Sequence, residues 1–578
     1  MSRRLTSGIF APLAPLFLAL SGCAAGTATA PAPRVDAAEP AVFDAGMVSA
    51  ADPRAAEAGA QILRLGGSAS DAAIATMLAL TVVEPQSSGI GGGGFLMLGD
   101  AKGAVESWDG RETAPAAATP RRFLDAQGRP LPFRTAVVGG RSVGVPGNIA
   151  LAARIHAEHG RLPWADLFQP AIHLAREGFA LSPRGFQYLA RQPDTGGHDP
   201  QARAIFYGVD GKPLPVGTTI RNPALAGTLE TLAAKGAGAF YKGDLAREIA
   251  ARVAGETPSD GKMTEADIAA FAARQRPGVC APYRAYRICS MGPPSSGATT
   301  VLATLLQLER FDLAGLGPDS PVAWHLIAES ERLAYADREL FLADPDFVGV
   351  PVAQLLDPAY LRRRGALISA ERTMAQVSAG LPAPGLARGE GPEEHGTSHF
   401  VVVDRQGDVA SWTSTIESAF GSGIMVGGFY LNNELTDFSF VPEKDGRPVA
   451  NRVEGGKRPR SSMAPTIVYG PDGKLLLVVG AAGGATIPVQ VARALIGVLD
   501  WKLPIDTALA LPVLFAPGDT VNVEKGSRLE AMIPALTALG HASVQAVEMP
   551  LKTNAVMVVD GRLVGAGDPR SEGVAVAQ

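Results

Sequence analysis

Gly396-Thr397 is where residue type and position could make chemistry. A segment rich in glycine, proline and alanine (380–396) ends at His395-Gly396, and Thr397 opens the strand-like run Ser398-His-Phe-Val-Val-Val-Asp404. If the chain is cut before Thr397, that residue carries both a hydroxyl and a free α-amine. An α-amine titrates near ~8, so it can take the hydroxyl proton, and one residue supplies nucleophile and general base. A rigid strand directly after it would hold both groups in place. Taken alone, a Gly-Thr pair at a loop–strand boundary is more often an ordinary turn.

Other candidates fail on context. Gly89-x-Gly91-x-x-Gly94 fits a dinucleotide fingerprint, but it opens a strand, so no helix N-terminus waits for a pyrophosphate. Gly140-x-Ser142-x-Gly144 fits a serine nucleophile elbow, which needs a helix directly after the serine; Val143-Gly-Val-Pro146 delays it. His395 and His399 are four apart, yet Gly396 intervenes and no third ligand is near, so neither a metal nor a cofactor is expected.

The elements around Thr397 read as strands and helices in blocks. Residues 52–84 form two helices broken at Gly66-Gly67, and Phe95-Leu-Met-Leu98 turns through Asp100–Gly103 into a strand ending near Trp108. Residues 147–345 are mostly helical, with Thr264-x-x-Asp267 as a capping-box start. Hairpins are expected around Arg405–Asp408, Gly470–Gly473 and Asp560-Gly561, with helices over 486–501 and 526–540 between them. The pattern calls for antiparallel sheets covered by helices, without parallel βαβ alternation.

Composition narrows the class. Fifty-two basic against 57 acidic residues give a net charge of −5, which excludes polyanion binding by bulk charge. With 46% hydrophobic and 19% charged residues, the chain as a whole is not disordered. Arg3 and Arg4 precede the apolar run Ile9–Leu20, which is too short to cross a ~30 Å hydrocarbon core, so residues 1–22 read as a signal peptide. Leu20-Ser-Gly-Cys23 resembles a bacterial lipobox, which implies cleavage before Cys23 and lipidation of its thiol; plain secretion stays open. Residues 23–44 read as a flexible tether. The expected product is exported, periplasmic, and membrane-bound only through lipid. Of the three cysteines, Cys280 and Cys289 bracket a strand-like APYRAYRI. On one continuous strand their odd separation points them to opposite faces, so buried thiols are expected rather than a bond.

Longer segments carry a family resemblance over roughly residues 45–575. Glu84-PQSSGIGGGGF, Arg111-ETAP, Gly144-VPG, Gly292-PPSSG, Thr397-SHFVVVD, Leu431-NNELTDFS, Lys457-RPRSSMAPT, Gly480-AAGG and Ala566-GDPRSEG resemble γ-glutamyltranspeptidases (glutathione hydrolases). That resemblance implies an α+β, four-layer αββα N-terminal-nucleophile hydrolase. A large subunit (45–396) and a small subunit (397–578) would form one intertwined domain. It implies that Thr397 cleaves the bond to Gly396 and then attacks the γ-carbonyl of a substrate, with the Thr415 hydroxyl bonded to it. It further implies an oxyanion hole at Gly483 and Gly484, a carboxylate site at Arg111, Ser461 and Ser462, and an ammonium site at Glu434 and Asp437. Taken singly, Arg111 is more often a structural ion pair, Asp437 a cap, and Ser461-Ser462 a turn; their joint occurrence at family-like spacing favours the site.

Two positions depart from the family pattern. Glu417 stands where many transpeptidases carry an asparagine that touches the glutamyl group, and 438–460 lacks the tyrosine of the lid loop. Three functions follow as alternatives. The first is a self-cleaving hydrolase of γ-glutamyl amides that passes the acyl group to water or an amino acid. The second is an acylase for a glutaryl-type group, and the third a non-catalytic binding lipoprotein.

Overall fold

In a computed structural model the described residues are 43–258, 261–382, 385–389 and 396–578. The signal peptide, Cys23, nearly all of the tether and His395 lie outside them. Phe43 is already buried, and its N–H donates to the Arg405 carbonyl at 2.9 Å, so the folded body begins just inside the expected tether.

The two N-terminal helices are specified locally. Asp52 caps Pro53–Arg64, and Ser68 forms a capping box with Asp71 at the start of Ala69–Val83. Every residue of the second helix is buried, as its small and aliphatic composition requires. Thr264 and Asp267 form the other expected capping box.

The first sheet has the spatial order 574–577, 47–50, 398–403, 409–415, 93–99, 105–109, 274–276. The second has the order 562–567, 552–559, 475–482, 466–469, 286–290, 279–283. All pairings within both are antiparallel. Ser398–Val403 is central and buried throughout. Phe400 and Val402 pack with the helix pair on one side, while Val401 and Val403 pack toward the second sheet on the other. A strand covered on both faces reads as an unbroken apolar run, which is why Phe-Val-Val-Val shows no alternation. Burying each such side chain contributes roughly 1.5–3 kcal/mol. Helices 297–308 and 487–499 cover the second sheet, with 321–341 packed on 297–308, completing the four αββα layers.

Three expectations are corrected. Cys280 and Cys289 form a disulfide, because 279–290 is a hairpin rather than one strand. The chain reverses at Arg284, whose φ is 54°, and register sets Cys280 directly opposite Cys289; an odd separation is what direct opposition in such a hairpin demands. The helix expected over 526–540 is two short ones, Arg528–Ala531 and Ile533–Ala538, with Pro534 opening the second. These two connect Thr520–Glu524 to Ser543–Val547, a parallel pair in a small third sheet that the sequence pattern had hidden.

Candidate active site

Thr397 is buried at the head of the central strand, one residue before the ladder pairing begins at Ser398–Ser414. The Gly396 carbonyl oxygen lies between two hydroxyls. Thr415 donates to it at 3.0 Å, and the Thr397 hydroxyl is in contact with it. The two threonine oxygens are 3.3 Å apart, and Thr415 accepts the Glu417 N–H at 2.8 Å. Gly396 is demanded by close approach, since a Cβ there would stand 2.0 Å from the Glu417 carbonyl oxygen. The tight Thr397–Thr415 hairpin through Arg405–Asp408 is therefore what aligns both hydroxyls on one peptide bond.

Glu417 joins this junction to a second group. Its carboxylate accepts from Asn433 and Ser418 and lies in the field of Asp437 and Glu434, while its Oε1 has no hydrogen-bond partner among the described residues. Arg111 pairs with both Glu434 and Asp437, and also donates to the Pro459 carbonyl at 3.2 Å and the Arg460 carbonyl at 3.0 Å. The ion-pair reading of Arg111 is thus what the structure contains, and Asp437 ends a one-turn 3₁₀ segment, Glu434–Asp437. Ser462 accepts from Arg338 at 2.6 Å, and Ser461 accepts the Met463 N–H at 3.1 Å, a local turn bond.

The balance of charge here favours a cation. Glu112, Glu417, Glu434 and Asp437 are all buried around Arg111. Burial pushes Glu112 and Asp437 up to about 7 against the pull of Arg111. Glu417 is raised well above the carboxylate range by burial and by its two acidic neighbours. An ammonium entering this group would be stabilised as the carboxylates ionise.

Gly483 and Gly484 follow strand 475–482 and precede helix 487–499, whose dipole favours negative charge at this end. Gly483 has φ 128°, and a Cβ on it would meet the Pro550 carbonyl at 2.3 Å. Register pairs Ala482 with Lys552, and the Lys552 ammonium lies 3.2 Å from the Thr397 carbonyl oxygen, which brings the glycine turn toward the junction.

Glu84, Glu112, Arg338, Asn433 and Lys552 lie at this candidate site and were not singled out from the sequence. Glu84, Glu112 and Asn433 stand inside quoted segments; Arg338 and Lys552 had no local signal. Arg338 bridges Ser296 and Ser462 and lines a cavity of about 660 Å³ with Tyr335, Ala485 and Phe515. The Tyr335 hydroxyl donates to the Ala485 carbonyl beside the glycine pair. His399 is buried between the sheets with Nδ1 2.8 Å from the Thr413 hydroxyl, and burial lowers it to about 3. Among the described residues, His325, Glu329 and His541 also converge, but Glu329 accepts from Arg332, Thr373 and the Met374 N–H.

A threonine heading the central strand of two stacked antiparallel sheets, with helices outside both, is the layout of N-terminal-nucleophile hydrolases. The family model described as Gamma-glutamyltranspeptidase matches residues 55–578, and the chain belongs to this enzyme family. It is 37% identical over 580 residues to a glutathione hydrolase proenzyme of Escherichia coli (strain K12), covering 96% of each chain. It is also 35% identical to the acylase ACY 1 proenzyme of Pseudomonas sp. (strain SE83), covering 93% of this chain and 94% of that one. A crystal structure of cephalosporin acylase from Bacillus halodurans superposes with a TM-score of 0.81 at 27% identity, over 96% of this chain and 99% of that one.

Proposed function

We propose that the chain cuts itself between Gly396 and Thr397 and then works as a γ-glutamyl hydrolase and acyltransferase. The large subunit would be 45–396 and the small subunit 397–578. The observation that carries this reading is the Gly396 carbonyl held between the Thr397 and Thr415 hydroxyls. In maturation the Thr397 oxygen adds to the Gly396 carbonyl carbon, the C–N bond breaks, and the hydroxyl proton passes to the leaving amine. Water then hydrolyses the Gly396 ester, freeing a Gly396 carboxylate and the Thr397 hydroxyl and amine.

In turnover the amine takes the Thr397 hydroxyl proton as the oxygen attacks the substrate γ-carbonyl. The Gly483 and Gly484 amides stabilise the oxyanion, a role worth about 10²–10³ in rate for one donor. The leaving amine departs with the proton, and water or an amino acid takes the γ-glutamyl group from the ester. The zwitterionic head group is held by Arg111, Ser461 and Ser462 at its carboxylate and by Glu417, Glu434 and Asp437 at its ammonium. Arg111 serves the carboxylate by sharing the guanidinium that Glu434 and Asp437 now occupy. The wild-type protein should run as two bands on a denaturing gel, the smaller beginning Thr-Ser-His-Phe. A Thr397→Ala chain that also ran as two bands would falsify the mechanism.

A glutaryl-type acylase is the second reading, favoured by the acylase relatives. Four buried carboxylates against Arg111 and Arg338 argue against it, because a glutaryl group brings a carboxylate and no ammonium. Comparison of kcat/KM on a γ-glutamyl anilide and the matching glutaryl anilide should favour the former at least tenfold; activity on the glutaryl compound alone reverses the assignment. An uncut wild-type chain would instead favour a binding protein. On the sequence reading, residues 1–22 direct export and Cys23 takes the lipid. Among the described residues no helix is long and apolar enough to cross a membrane. A Cys23→Ala chain should therefore leave the membrane fraction.

A further inference from the structure

An ion pair sits directly behind the reactive threonine, and the mechanism above does not use it. Lys552, on strand 552–559, donates to both oxygens of Glu84 at 2.8 and 2.6 Å, to the Thr397 carbonyl at 3.2 Å and to the Ser398 hydroxyl at 3.2 Å. The Ser398 hydroxyl in turn donates to Glu84 at 2.6 Å. Both charged side chains are 1% exposed. A buried ion pair stabilises a fold little or not at all relative to apolar residues of the same volume, so stability alone does not account for this one.

Its placement accounts for it. The ladder of the central strand begins at Ser398, so Thr397 has no partner strand among the described residues, and the proposed cut removes its covalent tether to Gly396. The grip on its carbonyl is then what fixes the peptide plane from which both the α-amine and the hydroxyl project. Lys552 is itself anchored, since its N–H donates to Gln490 at 3.1 Å. Gln490 donates to the Ala482 carbonyl at 2.8 Å and to the Thr486 hydroxyl at 2.9 Å, flanking the glycine pair.

Resting on Thr397 as the proposed nucleophile, we infer that Lys552 and Glu84 are positioning residues that lock the new N-terminal threonine in register with the glycine turn. Glu84, the C-cap of helix 69–83, balances the lysine charge. The pair also sets the field at the α-amine, which lies within about 6 Å of the ammonium by peptide geometry. The other charges acting on Lys552 are Arg184 and Asp52, with Asp52 ion-paired to Arg54.

The test uses full-length Lys552→Met, Glu84→Gln and the Lys552→Met/Glu84→Gln double variant, which keeps side-chain volume and leaves no buried charge should a single variant not fold. The readouts are N-terminal sequencing, kcat and KM, and the pH profile of kcat/KM. All three variants should mature more slowly than wild type, and the matured double variant should lose about 10–100-fold in kcat with little change in KM. Lys552→Met leaves an anion near the α-amine and should move the acid limb to higher pH. Glu84→Gln leaves a cation and should move it to lower pH. A merely structural pair would lower Tm and move neither limb. Superimposable pH profiles with wild-type kcat in the matured double variant would overturn the inference. A wild-type chain that is not cut at Thr397 would instead remove the reading on which it rests.

Discussion

Asp437 shows how one residue can govern both binding and stability. Its carboxyl titrates near 7 in the folded chain, above the ordinary 3.8, because burial opposes ionisation more than Arg111 favours it. A raised folded value means that the folded state holds the proton more tightly than the unfolded chain. That stabilisation is complete below pH 3.8 and is lost as pH rises toward 7. Glu112, also near 7, acts in the same direction. Between pH 5 and 8 the wild type should therefore lose more stability to urea than Asp437→Asn, by about 1–3 kcal/mol. Binding should run the other way, since a substrate ammonium selects the ionised carboxylates. KM for a γ-glutamyl anilide should fall as pH rises through 7 in wild type, and the fall should be blunted in Asp437→Asn. Arg111→Lys keeps the charge but cannot hold both Glu434 and Asp437 in the same fork, so kcat/KM should drop at least 100-fold.

Among the elements, the 279–290 hairpin departs most sharply from its sequence expectation. Read as a single strand it separates its cysteines; folded at Arg284 it clamps them together at the edge of the second sheet. Closing so short a loop removes little chain entropy, so Cys280→Ser/Cys289→Ser should cost about 2–3 kcal/mol. Calorimetry with and without reductant should show that loss in wild type and none in the double variant. The helix Pro321–Phe341 forms where the periodicity places it, but its burial is not local information. His325, Glu329, Glu331, Arg332, Asp337 and Arg338 would read as a solvated face, yet all are buried. Some partners are local, as Glu329 is to Arg332, but others come from distant segments: Arg332 also reaches the Asp519 carboxylate, and Arg338 reaches Ser462. Caps and hairpins were legible because the residues that make them are within a few positions of one another. Buried charge was less so, because many of its neutralising partners, as Glu434 and Asp437 are to Arg111, come from another part of the chain.

Across the whole molecule, the proposed subunits are woven through one another. Strand 47–50 lies between 398–403 and 574–577, and strand 93–99 pairs with 409–415, so strands of the two pieces interleave within one sheet. The second sheet mixes the chains in the same way, with 286–290 beside 466–469. Cleavage at Gly396–Thr397 should leave both pieces in one particle that elutes at the mass of the heterodimer on size exclusion. Separation should require denaturant at concentrations that unfold the body. Early dissociation, with either piece eluting alone in native buffer, would contradict this topology.

The sequence by itself determined the class of strands and helices, the loop–strand junction at Thr397 and the segments that place Arg111, Thr415 and the glycine pair. Those features are written in local periodicity, turn chemistry and contiguous motifs. Only the tertiary structure decided that Arg111 is paired with Glu434 and Asp437, that Cys280 faces Cys289, and that Lys552 and Glu84 meet behind Thr397 across 468 positions. Burial makes the difference. Inside the protein a charge must find its counter-charge wherever the fold delivers one, and no spacing along the chain records which partner that will be.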